Sequence, residues 1–163
     1  MQYQRARLEY QYQKLEKLRE GVYPETGGNI EFELFSFFEI CYHLKDWIKE
    51  SSCDGSVEAF VSNSPALRIS ADICNRLKHK VLRDNKTKQA IENKRSNAPL
   101  GPFQINMVIS VGPIGSTATA VIEGAVIETE RGQECCFSLA KECMDEWNRY
   151  FRQCNENAPN KAN

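Results

Sequence analysis

The stretch from Arg83 to Val111, RDNKTKQAIENKRSNAPLGPFQINMVISV, changes its hydrophobic period midway, and that change decides the fold class. As far as Pro102 it is polar, basic and closed by prolines, with no apolar periodicity, so residues 83–102 read as a long basic loop. From Phe103 the pattern alternates, placing Phe103, Ile105, Met107, Ile109 and Val111 on one face of a strand. Upstream of the stretch apolar residues recur every three to four positions; downstream they recur every two until the last segment.

Working upstream, residues 3–20 read as a helix with Leu8, Tyr12, Leu15 and Leu18 on one side, stopped by Gly21 and Pro24. A second helix, about Ile30 to Glu50, carries Leu34, Phe37, Phe38, Cys41, Leu44 and Ile48 at helical spacing, which is a core stripe. SVEAFVSN gives a short third helix, and Ser64-Pro65 opens a fourth that the periodicity carries to about Leu82. Working downstream, GPIGS is a turn and TATAVIEGAVIET one bent strand or a strand with a bulge at Gly124. ERGQ then turns into a short strand through Phe137, and Ser138 caps a last helix with Leu139, Cys143, Met144, Trp147, Tyr150 and Phe151 on its apolar side. The glycines of VGPIGSTATA lack the Gly-Lys-Ser/Thr ending of a phosphate loop and precede a strand, so they read as a hairpin turn. The sum is an α+β single domain, 1–163. It comprises a bundle of about four helices (1–82), the basic loop (83–102), a small three-stranded antiparallel β-region (103–137) and a C-terminal helix (138–154).

A chain of 163 residues with 41% hydrophobic and 26% charged content can bury a core. No apolar run approaches the roughly 20 residues of a membrane span, and MQYQRARLEY lacks the apolar region of a secretory leader. The expectation is a cytoplasmic protein with no membrane partner. Seven cysteines include no C-x-x-C pair. Cys41, Cys74 and Cys143 fall on apolar helical positions as reduced, buried thiols, and Cys135 and Cys136 would point to opposite faces of a strand. The cysteine spacing shows no recognised metal-binding signature, and no cofactor is expected.

The net charge of −1 hides a segmental bias. Arg68 to Arg95 holds nine Lys or Arg against three acids, a local +6, and is the one electrostatic footprint for a polyanion. The plainer reading of that block is a solvated, lysine-rich loop.

At about 100° per residue, the fourth helix sweeps Leu67, Ile69, Ala71, Ile73, Cys74, Leu77 and Val81 over an apolar arc of roughly 200°. Arg68, Asp72, Asn75, His79 and Arg83 share the remaining sector as a polar seam. The second helix carries a matching seam of Glu39, His43, Asp46 and Glu50. Both histidines of the chain thus lie on seams with an aspartate at helical spacing. Seams that face each other would form a polar cleft holding a carboxylate-oriented imidazole; otherwise each histidine hydrogen-bonds a neighbour within the bundle.

YHLKDWIKES, then SPALRISADICNRLKH, a strand region and LAKECMDEWNRYF resemble a family of small uncharacterised bacterial proteins with HLxDW and NxxKH segments and a final helix bearing Cys and Trp. The likeness covers most of residues 34–152 and implies the architecture more than an activity. A more distant resemblance is to the HEPN superfamily of helical dimers, whose ribonuclease members carry an Arg, a polar residue, three further residues and a His on one helix. Asn75 and His79 stand at the polar and histidine positions, and Cys74 at the arginine position, with Arg76 and Arg68 as neighbouring cations.

Three expectations follow. The first is a HEPN-like homodimer of bacterial defence or toxin type that binds RNA or cleaves it without metal. There His79 would be general acid or base, with Asn75, Asp72 and Arg76 beside it, and Arg68, Lys78, Lys80, Arg83, His43 and Asp46 in binding roles. The second is a non-catalytic homodimeric or partner-binding module. The third is a metal-dependent hydrolase on Glu39, His43, Asp46, Asp72 and His79, which lacks an E-x-x-H or H-E-x-x-H signature.

Overall fold

The computed structural model describes residues 2–21, 29–50, 57–78, 82–83, 90–91, 103–110 and 119–156. The class is α+β, with helices α1 (Gln2–Arg19), α2 (Ile30–Glu50), α3 (Val57–Asn63), α4 (Pro65–Lys78) and α5 (Cys136–Glu156). The strands are β1 (Leu82–Arg83), β2 (Ala90–Ile91), β3 (Phe103–Ser110), β4 (Thr119–Thr129) and β5 (Gly132–Cys135).

Local chemistry explains where the helices begin and end. α1 buries Leu8, Leu15 and Leu18, but the fourth buried position is Gln11 rather than Tyr12, which stays half-buried. The Gln11 amide donates to the Glu33 carboxylate at 2.7 Å and to the Glu33 backbone oxygen at 3.1 Å, so its burial is compensated. Gly21, at φ 80°, ends α1 with its N–H on the Leu18 carbonyl, a left-handed stop that glycine adopts without strain. Asn29 caps α2, its side-chain oxygen accepting from the Glu31 N–H at 2.9 Å, and Glu31 and Glu33 complement the positive end of the helix dipole. Ser64 caps α4 through the Leu67 N–H at 3.4 Å, with Pro65 in the first turn.

Two boundaries differ from the periodicity. α4 is helical to Lys78, and the chain is extended by Leu82, because Leu82 and Arg83 pair antiparallel with Ile91 and Ala90. In that short ladder Arg83, Ala90 and Ile91 lie inside the stretch that reads as loop, and Leu82 at the end of the expected helix. At the other end α5 starts at Cys136, so Ser138 is an exposed residue of its first turn and not its cap. Cys135 ends β5 and Cys136 opens the helix; the two do not share a strand.

The larger sheet runs β3-β4-β5, antiparallel throughout. Opposite β3, Asn106 faces Gly124 while Met107 faces Ile122, leaving Glu123 as the extra residue of a bulge beside Gly124. β4 turns into β5 through Glu130 and Arg131, and Gly132 takes φ 99°. Ala125 and Ile127 of β4 face the helices and join the core, where Phe37, Phe38, Leu44 and Ile48 of α2 meet Leu139, Cys143, Trp147 and Phe151 of α5. Each such aliphatic or aromatic side chain contributes about 1.5–3 kcal/mol by leaving water. The Trp147 indole N–H donates to Cys41 Sγ at 3.4 Å, which satisfies the one polar atom of a ring otherwise packed on Tyr150, Phe151 and Phe60. Six cysteines among the described residues are free thiols; Cys41, Cys74 and Cys143 are buried as the helical pattern requires. Among the described residues no helix is long and apolar enough to cross a membrane.

Candidate functional site

α2 delivers His43 and Asp46 to one side of the helix because they lie three residues apart, nearly one turn. His43 Nδ1 lies 3.1 Å from Asp46 Oδ2; a carboxylate only accepts, so Nδ1 is the donor in this contact. Nε2 faces α4, where Cys74 Sγ lies 3.7 Å away. Thiol, imidazole and carboxylate therefore follow one another in contact across two helices. The thiol is 1% exposed, so a substrate has no route to the sulfur as packed, while the His43 side chain is 34% exposed.

Asp46 is itself anchored. Its other oxygen accepts from Lys45 Nζ at 2.8 Å, and Lys45, buried and lying over the Tyr42 ring, also donates to Glu58 of α3 at 2.9 Å; Lys49 joins it on Glu58. Partial burial pushes the Asp46 carboxyl up, but the hydrogen bonds and charges of Lys45 and His43 outweigh it and hold the group below its ordinary value. For Lys45 burial acts downward, and the bonds to Asp46 and Glu58 more than reverse it, so the ammonium is held charged beyond its usual range. The imidazole thus stands on a carboxylate that remains ionised.

The α4 seam is less wet than its wheel implies. Asp72 is 0% exposed, packed within the helix's buried arc beside Ala71 and Ile73, so it is not an open ligand. Arg68 reaches the β4–β5 turn: Nη2 donates to Glu130 at 2.7 Å and Nη1 to the Ser62 carbonyl at 3.2 Å, while Nε is buried without a partner among the described residues. Asn75 is half-buried and Arg76 exposed, so the helix comes to the surface one turn before it ends. Lys78 closes α4 and Arg83 lies in β1, but their side chains, like all of His79 and Lys80, are outside the described residues. The structure hence joins His43 and Asp46 to α4 at Cys74, one residue from Asn75.

Glu39, the remaining seam residue near His43, lines a pocket between α1 and α2 of about 260 Å³ with Gln4, Arg7, Ile40, His43, Leu44 and Trp47. Among the described residues no three His, Cys, Asp or Glu side chains are grouped to hold a metal ion; Asp72 is buried and Glu39 exposed. Sequence reasoning passed over Lys45, Glu58, Arg7 and Trp47. Lys45 was detectable as the neighbour of Asp46, whereas nothing in the sequence joins Glu58 or Arg7 to His43. The chain matches no known family model, no curated protein and no solved structure.

Proposed function

We propose that this chain is a HEPN-like helical protein of bacterial defence or toxin type that binds RNA and, as a homodimer, cleaves it without metal. One observation carries the reading: the His43–Asp46 pair of the HLKDW segment meets α4 within the segment that runs Asp72-Ile73-Cys74-Asn75-Arg76 toward Lys78 and His79. The two segments that stand out in the sequence meet at His43 and Cys74, and α4 leads along the sequence into the most basic part of the chain.

RNA supplies its own nucleophile, the ribose 2′-hydroxyl. A base takes the 2′ proton as the 2′ oxygen bonds to phosphorus; the bond from phosphorus to the 5′ oxygen breaks, and an acid protonates that oxygen. In this reading His79 and His43 divide those two roles, Asn75 orients the phosphate, and Arg76 with Lys78, Lys80 and Arg83 offsets its charge. Asp46 fixes the His43 tautomer, and the Cys74 thiol, a weak hydrogen-bonding partner, is displaced from Nε2 at small cost.

The test is total RNA incubated with purified protein in excess EDTA, alongside His43→Ala and His79→Ala. Cleavage by the parent chain, reduced about a hundredfold or more in either variant, is expected; intact RNA under all conditions removes the catalytic half of the proposal. A second reading, a non-catalytic homodimeric or partner-binding module, draws on the exposed Tyr3, Tyr10, Phe32 and Trp47 of α1 and α2. Sedimentation that shows a dimer lost in Tyr10→Ser and Phe32→Ser, with no RNA binding, would favour it.

A further inference from the structure

We propose that the pocket between α1 and α2 holds one nucleotide unit, its base against Trp47, its donor edge on Glu39 and its phosphate on Arg7. The proposal deepens the RNA reading and rests on it only for the strand to which the nucleotide belongs.

The residue types around the pocket divide into the parts a nucleotide needs. Ile40 and Leu44 make an apolar floor, and Trp47 stands beside them with 47% of its surface in solvent, a large ring left uncovered where stacking is available. Arg7 and Glu39 line the same cavity without pairing, and neither has a hydrogen bond or ion pair among the described residues. Gln4 is uncommitted in the same way. A cation, an acceptor and an amide held apart in one concave site leave their bonding capacity to a ligand. The volume, about 260 Å³, lies just under the roughly 300–1,000 Å³ of pockets for larger cofactors, which suits one ring system and its sugar.

The chemistry also selects among bases. A carboxylate accepts and does not donate, so Glu39 favours a base edge with parallel N–H donors, as guanine presents and uracil does not. The guanidinium is a fork for phosphate oxygens. His43 forms part of the wall, so a ribose between base and phosphate lies on the side of the Asp46-held imidazole.

The experiment uses the full chain in isothermal titration, with guanosine 5′-monophosphate, uridine 5′-monophosphate, guanosine, ribose 5-phosphate and a single-stranded oligoribonucleotide containing one guanine. Guanosine 5′-monophosphate should bind one to one, about tenfold tighter than either guanosine or ribose 5-phosphate. Arg7→Gln should bring it to the level of guanosine, Glu39→Gln should erase the preference over uridine 5′-monophosphate, and Trp47→Leu should cost about tenfold or more. The three positions lie at the surface, and unchanged urea midpoints establish that the variants fold. Tighter binding of the oligonucleotide with the same variant pattern assigns the site to a strand, and binding of the mononucleotide alone assigns it to a free nucleotide. Titrations indifferent to all three substitutions, or no binding by either form, overturn the proposal. RNA cleaved equally by the parent and Trp47→Leu, together with no nucleotide binding in the titrations, removes the pocket and leaves the RNA reading; nucleotide binding with the variant pattern but without RNA binding or cleavage does the reverse.

Discussion

Removing either end of the Arg68–Glu130 pair should destabilise the fold by about 2 kcal/mol, and removing both should cost little more than one. The pair ties α4 to the β4–β5 turn at 2.7 Å, with the Arg68 side chain 23% and the Glu130 side chain 9% exposed. Exposed pairs contribute about 0–1 kcal/mol, and breaking a buried pair costs about 3–5 kcal/mol, so a pair of this intermediate burial falls near 2. Arg68→Met keeps the stem but takes from the Glu130 carboxylate the guanidinium that meets it at 2.7 Å; Glu130→Gln takes the carboxylate from a guanidinium whose Nε already lacks a partner among the described residues. Both together remove the ion pair as a unit, so the double variant should lose about 2–2.5 kcal/mol, giving a coupling energy near 1.5–2. With a urea slope of about 2 kcal/mol/M, each single variant should lower the midpoint by roughly 1 M, read by far-ultraviolet circular dichroism. Additive losses, with a coupling under about 0.5 kcal/mol, would refute the reasoning. The same series separates two roles for Arg68, since a side chain committed to Glu130 should matter less for RNA affinity than the exposed Arg76.

Other expectations follow from the same contacts. Asp46 and Glu33 have carboxyls held below their ordinary values: burial opposes the shift in both, and the bonds from Lys45 and His43, and from Lys14 and Gln11, outweigh it. Folded-state values lowered in this way stabilise the fold above the unfolded carboxylate range, near pH 4, and the gain is lost as pH falls through the lower folded values. The urea midpoint should accordingly drop between about pH 4.5 and 3, less steeply in Asp46→Asn; an identical slope contradicts the assignment. Gly132→Ala should cost about 1–2 kcal/mol from φ 99° alone, because an added Cβ meets nothing within 4 Å; a neutral result would show that the turn relaxes freely. Burial pushes the Cys136 thiol up to about 12, and Cys143 is likewise raised by burial, so both should label with a disulfide reagent only as the chain opens, slower than half-buried Cys154. If Arg76 contacts phosphate, Arg76→Gln should weaken binding to single-stranded RNA and reduce its log–log salt slope by about 0.7; an unchanged slope removes Arg76 from the interface.

For α2, for the start of α4 and for the bend of β4 the sequence was sufficient, whereas Ser138 lies inside α5 and not at its cap. Ile30 to Glu50 is helical over the bounds its spacing gives, Ser64-Pro65 opens α4, and the bulge sits beside Gly124. The misread boundaries are those where apolar spacing fits two states: Leu82 continues the α4 stripe and also suits a strand, and the pairing with Ile91 decides it. Asp72 shows the limit of a helical wheel, which divides a helix into two faces, whereas α4 is covered by α2, α3 and α5 and buries part of the polar sector too. For the site, the three-residue spacing of His43 and Asp46 was legible as one helix turn. Its meeting with Cys74 depends on how α2 packs on α4, and the link through Lys45 to Glu58 depends on where α3 lies; neither leaves a periodic trace. Cys74 was conspicuous in the sequence as a departure from an arginine motif, and in the fold it is the residue that His43 touches.

The central claim is that the His43–Asp46 pair and the Asn75 to His79 segment form one RNA-facing site. The chain has two histidines, so the imidazole nitrogens of a ¹⁵N-labelled sample give two ring systems, assigned by His79→Ala. Titrating that sample with a single-stranded oligonucleotide made uncleavable by 2′-deoxy substitution should shift both rings over one binding curve, and Arg76→Gln should weaken both shifts together. A His43 ring that stays still while RNA binds would contradict the claim.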